Sequence, residues 1–251
     1  MDGHEFEARQ RRGEWFQALT LPPGMWCVLR VDGREFGRLT EGHFDKPYDW
    51  RVLEYMVDAT RALLTDVGGV YGYTQSDEIS VLLPPAYDGF GRSLEKVVSL
   101  GAAVASARFS VRAGFPAVFD ARAWVGAGVD DVVDYFTWRQ ADAARSALDT
   151  WAYWTLRRDG LDVRGATEAL VGLGAAEKNE LLFRHGVTFN EVPTWQRRGA
   201  ALYYAASTAP GHDPQAAAEP SPGRPRLREV TDLPSRDEYR ALVRSVIAAA
   251  G

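Results

Sequence analysis

The sequence predicts an α+β protein in which a ferredoxin-like antiparallel sheet is followed by a largely helical C-terminal part. Two observations lead to this fold class. In the first half of the chain the hydrophobic pattern runs in the order strand, helix, strand, strand, helix, strand, which is the ferredoxin-like order. After residue 128 the pattern is mostly helical. The 251 residues therefore divide into a sheet-forming domain at 1–127 and a mostly helical region at 128–251.

Turn residues delimit the elements of the first half. The apolar run MWCVLRV stops at Asp32-Gly33, and Gly68-Gly69 ends a segment with apolar residues at helical spacing. The predicted elements are a strand at 25–31, a helix at 50–66, hairpin strands at 70–74 and 79–83, a helix at 91–113 and a strand at 116–125. Polymerase palm domains and nucleotide cyclases have this order at their core.

The second half carries helical periods with one irregular stretch. A long, aromatic-rich helix begins after residue 128, and a closing helix is predicted at 236–250. Residues 207–225 lack an apolar period and predict a flexible loop. Between the long helix and this loop we expect short helices near 165–173 and 176–184 and a hairpin-like segment at 187–205.

Composition narrows the class of protein. Hydrophobic residues make up 46% and charged residues 25% of the chain, which is typical of a globular protein. No apolar run approaches the roughly 20 residues of a membrane helix, and the mixed-charge N-terminus does not resemble a signal peptide. Cys27 is the single cysteine and lies in an apolar stretch. Because the chain has only one cysteine, disulfides within the chain and cysteine-type zinc sites are excluded. We therefore expect a cytoplasmic protein without a membrane partner.

The net charge of −5 limits the kind of nucleic-acid binding that the chain can support. A general polyanion binder needs a basic surface over most of the domain, and this composition excludes it. Any nucleic-acid surface must therefore be a local patch.

Two aspartates are the strongest candidates for chemistry. Asp32 follows the first strand, and Asp77 lies in the tight turn between the second and third strands. In a ferredoxin-like sheet the first and third strands are neighbours, so both carboxylates reach the same edge. Two carboxylates there suit two Mg²⁺ ions about 3.5–4 Å apart, one activating the attacking oxygen and one binding a triphosphate. Hard oxygen ligands without a nearby His or Cys cluster favour Mg²⁺ over Zn²⁺.

The same residues also allow a purely structural interpretation. Asp-Gly is common in turns, and Ser76-Asp77-Glu78 is good turn chemistry by itself. Their joint placement in the strand order favours the metal site. Gly33 adds to it, because a residue without a side chain allows close backbone approach and amides of the 33–36 turn could hold phosphate oxygens.

Lysine usage gives an independent signal. Of the 29 lysines and arginines, only Lys46, Lys96 and Lys178 are lysines. Because arginine carries the general surface charge, these positions are candidates for sites that need a compact ammonium group rather than a planar guanidinium. The alternative is that these three lysines occur at their positions by chance. This alternative is weakened only if all three lie in motifs.

Five sequence blocks resemble the tRNA-His guanylyltransferase superfamily of 3′-to-5′ polymerases. They are RVDGREFGRL (30–39), HFDKPYD (43–49), YTQSDEIS (73–80), WRQAD (138–142) and AEKNELLF (176–183), in the family's order. The resemblance implies a palm-like catalytic domain, a homotetramer and a reaction that extends a tRNA at its 5′ end. A 5′-monophosphate is first adenylylated by ATP. The 3′-hydroxyl of an incoming NTP, usually GTP, then attacks the activated phosphate, and two Mg²⁺ ions serve both steps.

The resemblance also implies roles for individual residues. Asp32 and Asp77 match the family's metal-binding aspartates, and the Gly33 carbonyl would be a further ligand. Ser76 and Glu78 flank the second aspartate and support it. The implied catalytic set is Asp32, Asp77, Glu78 and Lys46. The implied nucleotide contacts are Gly33, Arg34, Glu35, Phe36, His43, Lys46, Asp49, Ser76, Arg92 and Lys96. All three lysines lie in matched regions.

The C-terminal blocks imply tRNA contacts but depart from the family pattern. Eukaryotic members continue WRQAD with a His- and Asn-rich segment, whereas this chain has ARSALD after Ala143, with Ala144 in the histidine's place. This resembles the bacterial and archaeal branch, whose members prefer template-dependent repair of 5′-truncated tRNA. The tRNA-binding candidates are Arg139, Arg145, Lys178, Asn179 and Arg198, with Arg157, Arg158, Arg184 and Arg197 as further arginines of the same candidate surface.

The leading hypothesis is a Mg²⁺-dependent nucleotidyltransferase that adds nucleotides in the 3′-to-5′ direction to tRNA 5′ ends, with ATP and GTP or another NTP as substrates. Repair of 5′-truncated tRNA is the expected role, and guanylate addition to tRNA-His is an alternative. A nucleotide cyclase is a second alternative, because the same palm can direct an intramolecular 3′-hydroxyl attack. A tRNA-binding protein without catalysis is a third. Trp138, Trp151 and Trp154 are interpreted mostly as core or subunit-interface residues.

Overall fold

The computed structural model describes residues 3–207 and 223–250. The strands in this part of the chain are β1 (Trp26–Gly33), β2 (Tyr71–Gln75), β3 (Glu78–Leu83), β4 (Phe119–Gly126), β5 (Ala200–Ser207) and β6 (Gly223–Val230). They form one antiparallel sheet in the spatial order β4-β1-β3-β2-β5-β6. The α-helices are α1 (Gly3–Arg11), α2 (Phe36–Thr40), α3 (Trp50–Val67), α4 (Leu94–Ala113), α5 (Val129–Arg158), α6 (Val163–Leu170), α7 (Ala175–Arg184), α8 (Thr194–Arg198) and α9 (Arg236–Ala250).

The first half of the chain folds in the predicted ferredoxin-like order. β1 pairs with β3 on one side and with β4 on the other, so the first and third strands are neighbours as expected. α3 and α4 cover one face of the sheet, where the fully buried side chains include Met56, Leu63 and Phe109. Removal of this apolar surface from water stabilises the layer. The predicted α+β class is confirmed.

The local sequence of α3 explains why a helix forms there. Its buried residues recur every three or four positions, which places them on one face. Asp49 caps the N-terminus by accepting a hydrogen bond from the Arg51 amide. Gly68 ends the helix in the left-handed conformation, with φ at 80°. These ends fix the position of the 43–49 segment, which borders the site described below.

The second face of the sheet is covered by α5 and α9. Alternation along β1 turns Val28 to this face, whereas Leu29 faces α3 and α4. Tyr71 of β2 and Tyr239 of α9 are fully buried here, and their hydroxyl groups share a hydrogen bond of 3.0 Å. The bond satisfies two hydroxyls that have lost their hydration, so the closing helix is fixed to the sheet. The same alternation places Asp32 on the α5 side.

Two expectations for the second half need correction. Residues 187–205 do not form a hairpin, because a 3-10 turn, α8 and β5 follow one another and β5 pairs with β2 and β6. Gly199, with φ at 74°, breaks the chain direction between α8 and β5. The loop predicted at 207–225 lies mostly outside the described residues, but Ser207 and residues 223–225 belong to β5 and β6.

The C-terminal region contributes strands as well as helices. β5 and β6 extend the sheet on the β2 side, so the sheet contains strands from both of the predicted domains. The division of the chain between residues 127 and 128 stays a prediction. The predicted helices near 165–173, 176–184 and 236–250 are present with shifts of a few residues. Across the described ranges, we find no helix with the length and apolar character that crossing a membrane requires.

Candidate active site

The two predicted aspartates meet at one edge of the sheet. Asp32 of β1 lies opposite Glu78 of β3, and Asp77 occupies the turn just before Glu78. The Gly33 amide donates a hydrogen bond of 3.1 Å to the Asp77 carbonyl and ties the two segments together. Both carboxylates border the same polar cavity. The structure therefore brings together the residues that the strand order predicts to be neighbours.

Gly33 is required by the close approach of these segments. A Cβ atom at residue 33 would lie 2.9 Å from the Cβ of Asp77 and 2.7 Å from the Cδ2 atom of Phe36. The Phe36 ring cannot withdraw easily, because it packs against Phe109 and Phe119 in the core. A side chain at residue 33 would therefore push the ends of the two strands apart.

Burial and charge repulsion both act on Asp77. Desolvation, followed by the nearby Asp32 carboxylate, raises the pKa of Asp77 to about 6. A hydrogen bond from Ser76 acts in the opposite direction but does not offset the other two causes. Arg122 of β4 places a guanidinium nitrogen 4.0 Å from Asp32 and compensates part of the negative charge. A pair of carboxylates that resists full ionisation is suited to a bound cation.

Glu78 is committed to a buried ion pair. Arg139 of α5 donates hydrogen bonds of 2.7 Å from Nε and 2.5 Å from Nη2 to its two carboxylate oxygens. Arg139 is 9% exposed and also donates to Asp142 at 3.0 Å. The Nε and Nη2 donors of Arg139 are thus used inside the protein, which argues against the expected contact with tRNA, and that contact stays a prediction. Glu78 supports the Asp77 turn through this pair, with no oxygen left unbound by the guanidinium.

A cavity of about 420 Å³, here called the main cavity, opens beside Asp77. Its walls come from residues 36–53, the turn at 75–77 and the C-terminal half of α5, with Trp195. A cavity of this size that combines aromatic walls with polar groups is suited to a nucleotide, because rings stack on a base while polar groups hold phosphates. Its aromatic lining residues are Phe36, Phe44, Tyr48, Tyr153, Trp154 and Trp195.

Lys46 lies half-buried in the main cavity. Its ammonium group donates a hydrogen bond of 2.6 Å to the Thr40 hydroxyl and lies 5.8 Å from the centroid of the Trp154 ring. Burial lowers the pKa of Lys46, and neighbouring carboxylates, first among them Glu41, oppose the shift. One hydrogen bond leaves two ammonium donors available, so Lys46 is placed to contact a phosphate in this cavity.

The other candidates of the 43–49 block have structural partners. Asp49 accepts hydrogen bonds from the Arg51 side chain and amide, and these bonds lower the pKa of Asp49 to about 2. His43 stacks on Phe115, with 4.4 Å between ring centroids. Asp49 borders the main cavity, whereas His43 does not line it. A direct nucleotide contact is thus compatible with the position of Asp49 and not with that of His43.

A smaller polar cavity of about 160 Å³, the second cavity, lies on the other side of the Asp77 turn. Asp32 and Arg139 line it together with small side chains of α5 such as Ser146. Because the two cavities share a wall, groups bound in them would be neighbours across Asp77. The residues that border both cavities are Tyr48, Gln75, Ser76, Asp77 and Thr150.

The 33–36 turn offers fewer free amides than expected. The Gly33 amide is bound to the Asp77 carbonyl, and the Arg34 amide donates to the Val118 carbonyl at 2.8 Å. The amides at residues 35 and 36 lie at the start of α2, where N–H groups have no carbonyl one turn earlier to bind. Any backbone contact of this turn with a phosphate is therefore restricted to these two amides.

Arg92 and Lys96 lie away from the aspartates. The Arg92 guanidinium donates to the carbonyls of Leu21 and Tyr87, next to the start of β1 rather than its end. Lys96 lies in the first turn of α4, whereas Phe109, which packs beside the site, lies about 20 Å further along the helix. Within a single chain these residues therefore lie too far from Asp32 and Asp77 to supply triphosphate-binding charge, because they are at the opposite end of α4, and their predicted role stays a prediction.

Arg145 and Lys178 are both held by carboxylates on α5. Arg145 is exposed and pairs with Asp142 at 2.7 Å. Lys178 pairs with Asp149 at 2.6 Å, and its side chain is 15% exposed. Lys178 therefore fixes α7 against α5, and Arg145 is the more accessible of the two for RNA.

Asn179 and Arg198 are engaged by backbone carbonyls. Asn179 donates a hydrogen bond of 2.8 Å to the Ala175 carbonyl one turn earlier on α7. Arg198 donates at 3.0 Å to the Leu233 carbonyl, and its own carbonyl accepts the Tyr73 hydroxyl. The Arg198 contacts brace α8, and neither residue joins the other candidates in one RNA surface.

Three residues in or near the site are absent from the predicted metal, nucleotide and tRNA contacts. Thr150 and Trp154 line the main cavity from α5, one turn apart, although Trp154 was expected in the core or an interface. Arg30 lies on the α5 face of β1, and its Nε is buried without a partner among the described residues. The two-residue spacing between Arg30 and Asp32 predicts that both side chains lie on the same face of β1. No sequence pattern predicts the position of Thr150, because only the packing of α5 brings it to the cavity.

The site offers a metal the carboxylates of Asp32 and Asp77. Among residues 3–207 and 223–250, no group of three or more His, Cys, Asp or Glu side chains is arranged to hold a metal ion. Mg²⁺ in nucleotide sites is bound by one or two carboxylates, substrate phosphates and water, rather than by an all-protein cage. Asp32 and Asp77 therefore fit Mg²⁺ that arrives with a triphosphate, and the Gly33 carbonyl stays a predicted ligand.

Asp77→Asn is expected to stabilise the metal-free protein above pH 6. Because the pKa of Asp77 is raised in the folded state to about 6, the unfolded chain loses this proton first, and stability is lost as the pH rises from about 4 to about 6. We expect the Tm of the variant in EDTA to exceed that of the wild type by at least about 2 °C above pH 6, and the difference to disappear near pH 4. Asp66→Asn, an exposed control, should change nothing. Equal Tm values above pH 6 would contradict the raised pKa.

Arg139→Met is expected to destabilise the protein by about 3–5 kcal/mol, because it leaves the Glu78 carboxylate buried without its countercharge. The double variant Glu78→Gln/Arg139→Met should lose less stability than the sum of the two single variants, since no unpaired charge remains. Urea unfolding of the four proteins measures this coupling. Arg145→Met, which removes an exposed ion pair, is the control and should cost at most about 1 kcal/mol. Strictly additive losses would show that the pair is not coupled.

Comparison with known proteins assigns both halves of the chain to the same family. A family model described as tRNAHis guanylyltransferase matches residues 7–126, and one described as the Thg1 C terminal domain matches residues 130–236. A probable tRNA(His) guanylyltransferase of Drosophila melanogaster is 31% identical over 195 residues, which cover 73% of this chain and 68% of the relative. That of Bos taurus is 33% identical over 198 residues, covering 74% and 66%. The match thus spans about two thirds of the length of these relatives.

Solved structures extend the likeness to nearly the whole chain. A bacterial tRNA(His) guanylyltransferase (Thg1)-like protein in complex with ATP has a TM-score of 0.77 at 26% identity, and the match covers 96% of this chain and 98% of that chain. The same kind of protein in complex with GTP has a TM-score of 0.73 at 26% identity, with 97% and 99% covered. Together with the geometry of the catalytic edge, these matches show that the chain belongs to the tRNA(His) guanylyltransferase family, a family of nucleotidyltransferases.

Proposed function

We propose that the protein is a Mg²⁺-dependent nucleotidyltransferase that adds nucleotides to the 5′ end of tRNA in the 3′-to-5′ direction. The observation that carries the proposal is the placement of Asp32 and Asp77 at a sheet edge that borders the main cavity. Family membership supports the reaction class, since the relatives are tRNA(His) guanylyltransferases.

The main cavity is the proposed site of the nucleoside triphosphate. The aromatic walls would stack on the base, and Lys46 and the amides at residues 35 and 36 would contact phosphates. The ATP and GTP complexes of the bacterial relatives support both nucleotides as ligands. Because the cavity ends at Asp77, a bound triphosphate would be directed toward the carboxylates.

Mg²⁺ is the proposed cofactor, held by Asp32, Asp77 and the Gly33 carbonyl. When bound, Mg²⁺ activates an oxygen nucleophile and neutralises triphosphate charge. The chain itself supplies the arrangement: Gly33 sets the spacing of the two aspartates, and Arg139 keeps Glu78 from adding a third free charge. The raised pKa of Asp77 supports this assignment, because the pair ionises fully at lower pH when a cation is present.

Template-dependent repair of 5′-truncated tRNA is the proposed biological role. Its support is the replacement of the His- and Asn-rich segment by small residues, which leaves the wall of the second cavity to side chains such as Ala143 and Ser146. The alternative is guanylate addition to tRNA-His, which the names of the curated relatives favour. The two roles differ in substrate and not in the carboxylate site.

The function is tested by incubating the protein with radiolabelled NTPs and two substrates, a 5′-truncated tRNA and full-length tRNA-His. We expect Mg²⁺-dependent addition to the truncated tRNA. Asp32→Ala and Asp77→Ala should each lower the rate at least about 100-fold, because metal activation is worth several kcal/mol. Asp66→Ala, an exposed carboxylate on α3, is the matched control and should keep the wild-type rate.

The outcomes separate the alternatives. Unchanged addition by either active-site variant would contradict the metal assignment. Preference for tRNA-His with GTP alone would replace the repair role by histidine-tRNA modification. Cyclic nucleotides formed from ATP or GTP without RNA would indicate a cyclase, and tRNA binding without turnover at any Mg²⁺ concentration would indicate a binding protein.

A homotetramer is the proposed assembly, and exposed aromatic residues support it. Trp15 and Phe16 are 77% and 68% exposed and border a cavity of about 520 Å³ with Lys96. Large exposed apolar side chains that adjoin one another mark interaction surfaces. Lys96 would reach a nucleotide only across such a subunit contact, which links its predicted role to the assembly.

Trp15→Glu/Phe16→Glu is expected to dissociate the assembly, because two charges would be buried in an apolar interface. Light scattering of the purified protein should show a tetramer for the wild type and a smaller species for the variant. Val171→Glu, at a residue that is 75% exposed elsewhere, is the control and should stay tetrameric. A wild-type monomer at micromolar concentration would contradict the assembly.

A further inference from the structure

We propose that a basic rim beside the catalytic edge binds the phosphate backbone of the RNA whose 5′ end enters the site. The rim consists of Arg34, Arg38, Arg108 and Arg112. The inference rests on the proposed function, because it names the surface that would hold the polynucleotide substrate. The two cavities next to Asp77 accommodate groups of nucleotide size or smaller, so the remainder of an RNA needs a surface outside them.

The rim begins at the catalytic edge. Arg34 follows Asp32 by two residues, and its amide is bound to the Val118 carbonyl at 2.8 Å. The side chains of Arg34 and Arg38 line an open groove of about 410 Å³ against the 115–118 segment. A polynucleotide whose end lies at the carboxylates would therefore pass over this groove.

The rim continues along the last turns of α4. Arg108 and Arg112 are exposed and lie one helical turn apart, so their side chains leave the same side of the helix. The guanidinium of Arg112 lies 5.2 Å from the centroid of the Tyr55 ring, which holds it in place. Gly114 ends α4 immediately before the 115–118 segment, so the two pairs of arginines flank that segment.

The positive charges of the rim are not neutralised by neighbouring carboxylates. Among the described residues Arg34, Arg108 and Arg112 form no ion pair, and Arg38 approaches only Glu35, at 3.8 Å with both side chains exposed. An arginine without a carboxylate partner has no ion pair to lose when it binds a phosphate. Other exposed arginines do have glutamate partners one turn away at 2.7–2.8 Å, namely Arg11, Arg164 and Arg184.

Because the chain carries a net negative charge, RNA binding depends on a local basic surface. With a net charge of −5, the protein as a whole repels a polyanion, and a confined positive patch determines where and in which direction RNA approaches. The rim begins beside the two aspartates of the proposed nucleotidyltransferase site. This placement favours an RNA backbone over other anionic partners.

The test compares the salt dependence of tRNA binding. The rim variant Arg38→Gln/Arg108→Gln/Arg112→Gln leaves Arg34 unchanged, since Arg34 belongs to the predicted nucleotide turn. Anisotropy of a labelled 5′-truncated tRNA is measured over a KCl series without ATP or GTP. Each phosphate contact contributes about −0.7 to −0.9 to the slope of log K against log salt, so we expect the slope of the variant to be shallower by about 2 to 3.

Two matched variants distinguish loss of the rim from a general loss of positive charge and from altered folding. Arg11→Gln/Arg61→Gln/Arg164→Gln removes the same charge from exposed arginines that already have glutamate partners and belong to no proposed binding surface, and it should keep the wild-type slope. The lysine version of the rim, Arg38→Lys/Arg108→Lys/Arg112→Lys, keeps the charge and should also keep the slope. It therefore controls for altered folding, which melting curves monitor in parallel.

The results distinguish the rim from the proposed function. A rim variant with the wild-type slope would overturn the rim and leave the proposed function intact. An equal loss of slope in the control variant would also overturn it, because general charge and not the rim would hold the RNA. Failure of the wild type to bind tRNA at low salt would overturn both.

Discussion

The close contact between Gly33 and Asp77 is the constraint on which the site depends. The amide of one residue binds the carbonyl of the other at 3.1 Å, and a Cβ on residue 33 would overlap Asp77 and Phe36. Strand pairing between β1 and β3 brings the two backbones together, and the missing side chain lets them close at the sheet edge. If this contact opened, the aspartates would separate, and the wall between the two cavities would lose its position.

Repulsion among carboxylates destabilises this edge of the sheet when no cation is bound. Three carboxylates converge where β1 and β3 meet, and the structure neutralises them unequally. Glu78 has a complete bidentate partner in Arg139, and Asp32 has a distant one in Arg122. Asp77 is left as the least compensated member, and burial, followed by the nearby Asp32 carboxylate, raises its pKa to about 6. Perturbed carboxylates of this kind cluster at functional sites. A bound metal–triphosphate complex would relieve the repulsion between Asp32 and Asp77.

α5 connects the parts of the site. Residues at its helical spacing run from Arg139 past Ser146 and Thr150 to Trp154, about 22 Å along one stripe. The first of these holds the Asp77 turn through Glu78, the middle ones border the second cavity, and the last faces Lys46 in the main cavity. One rigid helix therefore sets the positions of both cavities relative to the carboxylates. The small residues in its middle leave the second cavity open, which is the feature that the proposed repair role uses.

The sequence by itself determined the strand order, the position of Asp32 and Asp77 on one edge and the family, because hydrophobic periods, turn residues and motif blocks are local properties of the chain. It did not determine which arginines are available to RNA. Arg139, 61 residues from Glu78, is buried as a countercharge, whereas Arg108 and Arg112 remain without carboxylate partners among the described residues. The tertiary structure decided this, and also placed Thr150 in the cavity wall and β5 against β2, because ion pairs and long-range strand pairing depend on which faces pack together. Periodicity shows that a residue lies on a helix face, but only packing decides what that face meets.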